Sequence, residues 1–214
     1  MPIEVDPEER RELARRVKIE LRDRMKRVRR ALGPENRAAR SEKIAARIVS
    51  LKEWSLAGTV ALFVPMRTEV DVTLLERHAR DDGKRIAAPR MTPPHAEAPV
   101  HEWPLVLHLW EDGVEPVESG HMVREPPASA PVVRHDEVEL IVVPALALDE
   151  RGARIGYGAG QYDRLLPQCT RAVRVGVVFD FQLLSEIPEL EGDQRVDWIV
   201  TDERVLQAQP PRLR

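Results

Sequence analysis

The sequence predicts an α/β fold built on a mostly parallel sheet, and three observations lead there. Thr59–Val64 (TVALFV) and Arg85–Pro89 are short apolar runs on either side of a helical segment, Val72–Arg80. A strand–helix–strand unit of that kind favours parallel pairing. Val138–Leu148 (VELIVVPALAL) lacks polar alternation, as a strand buried on both faces requires. Arg174–Phe179 (RVGVVF) and Val196–Thr201 (VDWIVT) repeat the buried-strand texture toward the C-terminus.

The other elements follow in order. Asp6-Pro7-Glu8-Glu9 is a helix start, with Asp6 as cap, Pro7 at the first helical position and Glu9 three residues after the cap. Leu13, Val17, Leu21, Met25, Val28 and Leu32 recur at helical spacing, so a helix over about 7–32 with that apolar stripe is expected, stopped by Gly33-Pro34. A second helix is expected over about 35–52, with Ile44, Ile48 and Leu51 on one face. Asp71 is placed to cap the Val72–Arg80 helix, which closes at Asp82-Gly83. Residues 89–131 hold 9 of the 18 prolines, so this stretch is expected to form loops and an edge hairpin rather than a helical core. Gln161–Leu166 starts a helix, and Gln182–Glu186 is read as a short one.

The 214 residues suffice for one good core and are expected to form a single domain over 1–214. With 43% hydrophobic and 32% charged residues the composition is globular. No apolar run approaches the roughly 20 residues of a membrane-spanning helix, and the charged N-terminus does not read as an apolar secretion signal. A cytoplasmic location is therefore expected. The single Cys169 excludes an internal disulfide and a cysteine-based zinc site; it reads as an apolar filler. The six histidines lack metal-ligand spacing, and Trp103 and Trp110 read as packing residues.

The net charge of −3 gives no global attraction to nucleic acid, yet it hides an asymmetry. Residues 8–30 carry 11 Lys/Arg against 5 Asp/Glu, +6 net, so the remainder carries −9. A solvated helix face is one reading; cations aimed at an anionic ligand is the other.

The chemistry-bearing segment is Arg154-Ile155-Gly156-Tyr157-Gly158-Ala159-Gly160-Gln161-Tyr162-Asp163-Arg164. It follows a buried strand and opens a helix. Alternating glycines let backbone approach a ligand, and successive amides of such a loop can form an anion nest. Arg154 adds a fixed fork suited to phosphate, and Asp163 supplies a hard oxygen where a phosphate-bridging Mg²⁺ would sit. The spacing matches neither the dinucleotide fingerprint nor a P-loop. Turns also use glycine, so the loop alone leaves a plain turn open.

Further landmarks stand in fixed order around this loop: Lys18-Ile19-Glu20-Leu21-Arg22, then Phe63 to Val70, Gly120 through Glu125-Pro126, Val143 to Asp149, and Asp193-Gln194-Arg195-Val196-Asp197. Together they resemble the 5-formyltetrahydrofolate cyclo-ligase family, also called methenyltetrahydrofolate synthetase, over about residues 14–205. The chain departs from the family pattern at Gln161, usually an aromatic residue, at Ala159, usually glycine, and at Leu148, usually Phe.

The resemblance implies a three-layer, Rossmann-like fold of the NagB/RpiA/CoA-transferase-like type. It implies ATP- and Mg²⁺-dependent cyclisation of 5-formyltetrahydrofolate to 5,10-methenyltetrahydrofolate through a phosphorylated formyl oxygen. By the same resemblance Lys18, Arg22, Arg154, Ile155, Gly156, Tyr157, Gly158, Ala159, Gly160, Gln161 and Tyr162 would bind ATP, with Lys18 and Arg154 carrying the catalytic charge. Val64, Glu69 and Tyr157 through Gln161 would contact the folate, with Glu69 at the polar edge of the pterin, and Asp163 and Asp193 would hold Mg²⁺. The implied partners are small molecules, a reduced folate and ATP, with neither nucleic acid nor membrane, and a monomer is expected. Two alternatives stay open. Gln161 leaves room for a non-catalytic folate- or nucleotide-binding protein on the same fold, and the basic residues 8–30 for an RNA-binding role.

Overall fold

The computed structural model describes residues 6–95, 97–119 and 124–209. Helix α1 (Pro7–Arg30) starts as expected, with Pro7 in its first turn and the Asp6 carboxylate accepting from the Glu8 amide. Its buried face is not the expected stripe. Leu13 and Val28 are 56% and 41% exposed, whereas Ala14, Lys18, Met25 and Arg29 are buried. The helix is rotated so that two cations lie inside. Hydropathy alone cannot show this, because the acceptors that make burial tolerable lie on other elements.

Helix α2 (Pro34–Val49) stops short of residue 52, and a separate turn of helix, α3 (Lys52–Leu56), buries Trp54. Strand β1 (Thr59–Ala61), helix α4 (Thr73–Asp81) and strand β2 (Arg85–Met91) form the expected unit, with Thr59 opposite Arg85 in parallel register. Asp71 Oδ1 accepts from the Thr73 amide at 3.0 Å and tethers the start of α4. The proline-rich segment returns as β3 (Leu105–Leu109), antiparallel to β2, followed by a ribbon of β4 (Val117–Glu118) and β5 (Arg124–Glu125). Gly120, part of one landmark, lies outside the described residues.

The run Val138–Leu148 is two strands, not one. Strand β6 (Leu140–Pro144) belongs to the main sheet, and β7 (Ala147–Asp149) to a second sheet with β8 (Arg154–Ile155). Pro144 has no N–H to continue the ladder. The sequence reads as continuous because both strands are buried. Helix α5 (Gln161–Leu165) and strand β9 (Val173–Val177) follow. Where a helix was expected at 182–186 the chain makes β10 (Leu183–Leu184), and after β11 (Trp198–Val200) the strand β12 (Val205–Gln207), absent from the sequence reading, closes the edge.

The main sheet runs β12-β11-β9-β6-β1-β2-β3, with five parallel inner strands and an antiparallel strand at each edge. Period-two alternation sends side chains to opposite faces. Val60, Ile86, Leu140, Val142, Val175 and Val200 pack with Ile44, Ile48, Trp54 and Leu75 of α2–α4, while Ala61, Ala87, Ile141, Val143 and Ile199 pack with Leu165, Leu166 and Leu148. The second sheet, β10-β7-β8, lies on this latter side, and α1 contacts β7 and β8. The result is the three-layer α/β arrangement. At Gly176 any Cβ would meet Leu148 Cδ1 and Val196 Cγ2 at 2.9 Å, so a bare backbone is what lets β9 lie this close to them. Among the described residues no helix is long and apolar enough to cross a membrane.

Candidate active site

A cavity of about 790 Å³ opens at the carboxyl ends of β1, β2 and β6, between the inner face of α1, the glycine loop and the β2–β3–β5 wall. Open parallel sheets collect ligands at this end of their strands. Every residue singled out for the site lines the cavity except Ile155, which is buried in the core beside Met25 and Leu146.

On α1, positions 18, 22, 25 and 29 share one face. Lys18, 4% exposed, pairs with Asp193 Oδ2, which also accepts from the Leu190 amide at 2.7 Å. Arg154 Nη2 donates to Asp163 Oδ1 at 2.7 Å, and the same oxygen accepts from the Gln194 amide at 3.0 Å. The two carboxylates, 30 residues apart in sequence, are thus held by one short turn. Arg22 Nε donates to the Gly156 carbonyl at 3.0 Å and ties α1 to the loop. Arg154 packs over the Tyr162 ring, 5.9 Å from its centre, and its buried Nε has no hydrogen-bond partner among the described residues. Burial pushes this guanidinium below its ordinary value, partly offset by Asp163. Burial also pushes the Tyr162 hydroxyl up.

Gly158 has φ of +111° and Gly160 +64°, backbone that side chains rarely adopt; Gly156 has no such requirement. Among the described residues no group of three metal-ligating side chains forms. What exists is a pair of hard carboxylates with Asp163 Oδ2 and Asp193 Oδ1 free of these bonds, the other oxygen of each held by a cation.

Nearer the middle of the cavity, the Tyr157 hydroxyl donates to Glu69 Oε1 at 2.8 Å, and Glu69 Oε2 accepts from the Met66 amide at 2.9 Å. Arg29 donates to the Tyr157 oxygen and, at 3.1 Å, to Thr68 Oγ1. Burial raises the Glu69 carboxyl above its ordinary value; the Met66 amide, Arg29 and Tyr157 pull it back. Burial and the nearby Glu69 raise the Tyr157 hydroxyl. The sequence reading missed Arg29, whose signal was its place eleven residues after Lys18 on one helix face. It also missed the far wall, where Pro89, Met91, Leu105 and the buried Glu125 line the cavity. Cys169 is buried away from the cavity, and burial pushes its thiol up to about 11.

A family model described as the 5-formyltetrahydrofolate cyclo-ligase family matches residues 14–202. The chain belongs to that family. It is 31% identical over 195 residues to the 5-formyltetrahydrofolate cyclo-ligase of Mycolicibacterium smegmatis, covering 90% of this chain and 97% of that protein. To the Escherichia coli K12 enzyme of the same name it is 29% identical over 180 residues, covering 83% of this chain and 96% of that protein. The fold is similar to the solution structure of Aquifex aeolicus 5,10-methenyltetrahydrofolate synthetase, with a TM-score of 0.77 and 30% identity over 92% of this chain and 96% of that one. A Mycoplasma pneumoniae synthetase structure shares the fold at a TM-score of 0.68 and 21% identity, covering 87% of this chain and 99% of that one. Membership makes this chain an enzyme of the cyclo-ligase type. Its family match takes in α1 from residue 14 onward and the whole glycine loop, the two elements that Arg22 ties together through the Gly156 carbonyl.

Proposed function

We propose that the protein converts 5-formyltetrahydrofolate and ATP to 5,10-methenyltetrahydrofolate, ADP and phosphate. The observation that carries this is the pairing of Lys18 with Asp193 and Arg154 with Asp163 beside a glycine loop, in a cavity whose far wall includes the apolar side chains Pro89, Met91 and Leu105. The formyl oxygen on nitrogen 5 is a poor leaving group. It attacks the γ-phosphorus and displaces ADP; nitrogen 10 then attacks the formyl carbon and loses its proton, and phosphate departs. Transfer of this kind needs positioning and charge neutralisation more than covalent help from the protein.

Lys18, Arg22 and Arg154 bind the ATP phosphates with the backbone of Gly156, Tyr157, Gly158, Ala159 and Gly160, bordered by Gln161 and Tyr162. Ile155 supports the loop from the core. The unmet Arg154 Nε is a donor without an acceptor, which suits a phosphate oxygen. Asp163 and Asp193 hold Mg²⁺, an assignment that fits only with phosphate present. Two carboxylates suffice when phosphate and water oxygens complete the shell, and the phosphates give Lys18 and Arg154 another partner. Bound there, Mg²⁺ would neutralise phosphate charge. Val64, Glu69 and Tyr157 contact the reduced folate, and Gln161 borders both substrates.

The test is purified protein with 5-formyltetrahydrofolate and Mg·ATP, watched for the absorbance of the methenyl product. Binding of both ligands without turnover would favour a non-catalytic binding protein instead.

A further inference from the structure

One buried carboxylate of the cavity takes no part in the proposed reaction. Glu125 of β5 is 2% exposed and lines the cavity wall. Its Oε1 accepts from the Met91 amide at 2.8 Å. Its Oε2 is buried and has no hydrogen-bond partner among the described residues. The cation beside it, Arg90, stands with Nη1 3.7 Å from Oε2 and donates from that nitrogen to the Pro126 carbonyl at 2.7 Å. The charge is thus offset while the oxygen stays without a donor. Buried acceptors are rarely left so, and this one belongs to a residue that lines the cavity.

Glu69 differs: each of its oxygens already has a protein donor, Tyr157 on one and Met66 on the other. Pro89, Met91 and Leu105 line the same cavity as Glu125, apolar surface that suits the face of a heterocycle with its polar edge toward the carboxylate. Resting on the cyclo-ligase reading, we propose that Glu125 determines specificity: its Oε2 accepts an N–H of the 2-amino group of the pterin ring. Of the N–H donors of that substrate, the one on nitrogen 10 is lost in the reaction, whereas the 2-amino group lies at the far end of the ring and is unchanged throughout. The ring N–H groups at nitrogens 3 and 8 are also unchanged, but the 2-amino group carries two N–H bonds and projects furthest from the reacting nitrogens, so a fixed buried acceptor matches it best. The assignment moves this contact from Glu69, where the family resemblance put the polar edge, to Glu125.

A site built to hydrogen-bond a group rejects the analogue that lacks it, because its own polar atom is left unpaired. The experiment is calorimetric titration of wild type and Glu125→Gln with 5-formyltetrahydrofolate and with its 2-desamino-2-methyl analogue. Wild type is expected to bind the parent about 10- to 100-fold more tightly than the analogue, the range for a hydrogen bond to a charged group. In Glu125→Gln the ratio should fall to within about threefold, since a neutral amide gives a weaker and misoriented partner. Each ratio is taken on one protein, so a smaller folded fraction in the variant does not alter it. A variant that keeps the wild-type ratio, or a wild type that does not discriminate, overturns the assignment. Folded wild type that binds neither compound overturns the cyclo-ligase reading, and this inference with it, a result distinct from the other two.

Discussion

The two ends of the cavity treat buried charge in opposite ways. At the loop end each inward cation has a protein acceptor, Asp193 for Lys18, Asp163 for Arg154 and the Gly156 carbonyl for Arg22, and the one buried atom left unmet is a donor, Arg154 Nε. At the far wall Glu125 has one amide donor and an oxygen with none. The proposed function accounts for the difference by what each end would receive. On the proposed function, a polyanion would take over cations that the empty loop end already gathers and pairs. On the same proposal, a neutral ring would bring only hydrogen bonds to the wall, where one acceptor stands unmet.

The sharpest way to break that comparison is to unpair the loop end. Lys18→Ala should lose ATP affinity and also stability, because Asp193 is left without its cation. Removing one partner of a buried pair costs roughly 3–5 kcal/mol, and the partial exposure of Asp193 puts this case near the lower figure. Chemical denaturation and ATP titration check it together. On the helix as read from sequence, Lys18 flanks the apolar stripe and its removal should leave stability intact; burial of its side chain reverses that expectation.

Asp163→Asn comes next. It removes the charge that faces Arg154, at about 1–3 kcal/mol of stability, and should raise the Mg²⁺ concentration for half-maximal turnover more than Asp193→Asn does. Coincident Mg²⁺ titrations for wild type and both variants would remove these residues from the metal site. Gly158→Val places a branched residue at a φ of +111°, costing about 1–3 kcal/mol. Its larger effect should fall on nucleotide affinity, measured by titration.

Between the two ends, Glu69 provides a pH test. Its folded carboxyl lies above its ordinary value of 4.5, so the folded state holds the proton more tightly than the unfolded one. The stability it contributes is complete below 4.5 and is lost as pH rises through the folded value. Glu69→Gln removes this loss, so its stability relative to wild type should rise from pH 4.5 upward in urea unfolding. Tyr157→Phe deletes one influence that pulls Glu69 down and should carry the loss to higher pH. The smallest effect belongs to the outer face of α1. Leu13→Ala should change stability by less than about 0.5 kcal/mol, whereas Met25→Ala should cost about 2–5 kcal/mol.

Much of this was legible because it is local. The glycine alternation, the strand–helix–strand unit and the start of α1 are set by near neighbours in sequence, and the structure keeps all three. The rest depends on distant partners. Lys18 and Arg29 are buried because Asp193 and Tyr157 meet them, and a hydropathy stripe drawn on α1 alone turns the helix the wrong way. The break between β6 and β7 is hidden because both halves are equally apolar. The Glu125-Pro126 landmark was visible, but its meaning arises only when β5 lies beside β2.

The central claim is that the charged pairs and the apolar wall serve one ATP-driven ring closure. The most direct measurement follows methenyl absorbance when folded protein, 5-formyltetrahydrofolate and Mg·ATP are mixed, with ADP measured in parallel. The account predicts methenyl product and ADP in equal amounts, and none without ATP. Product formed without ATP, or ADP released without product, would contradict it.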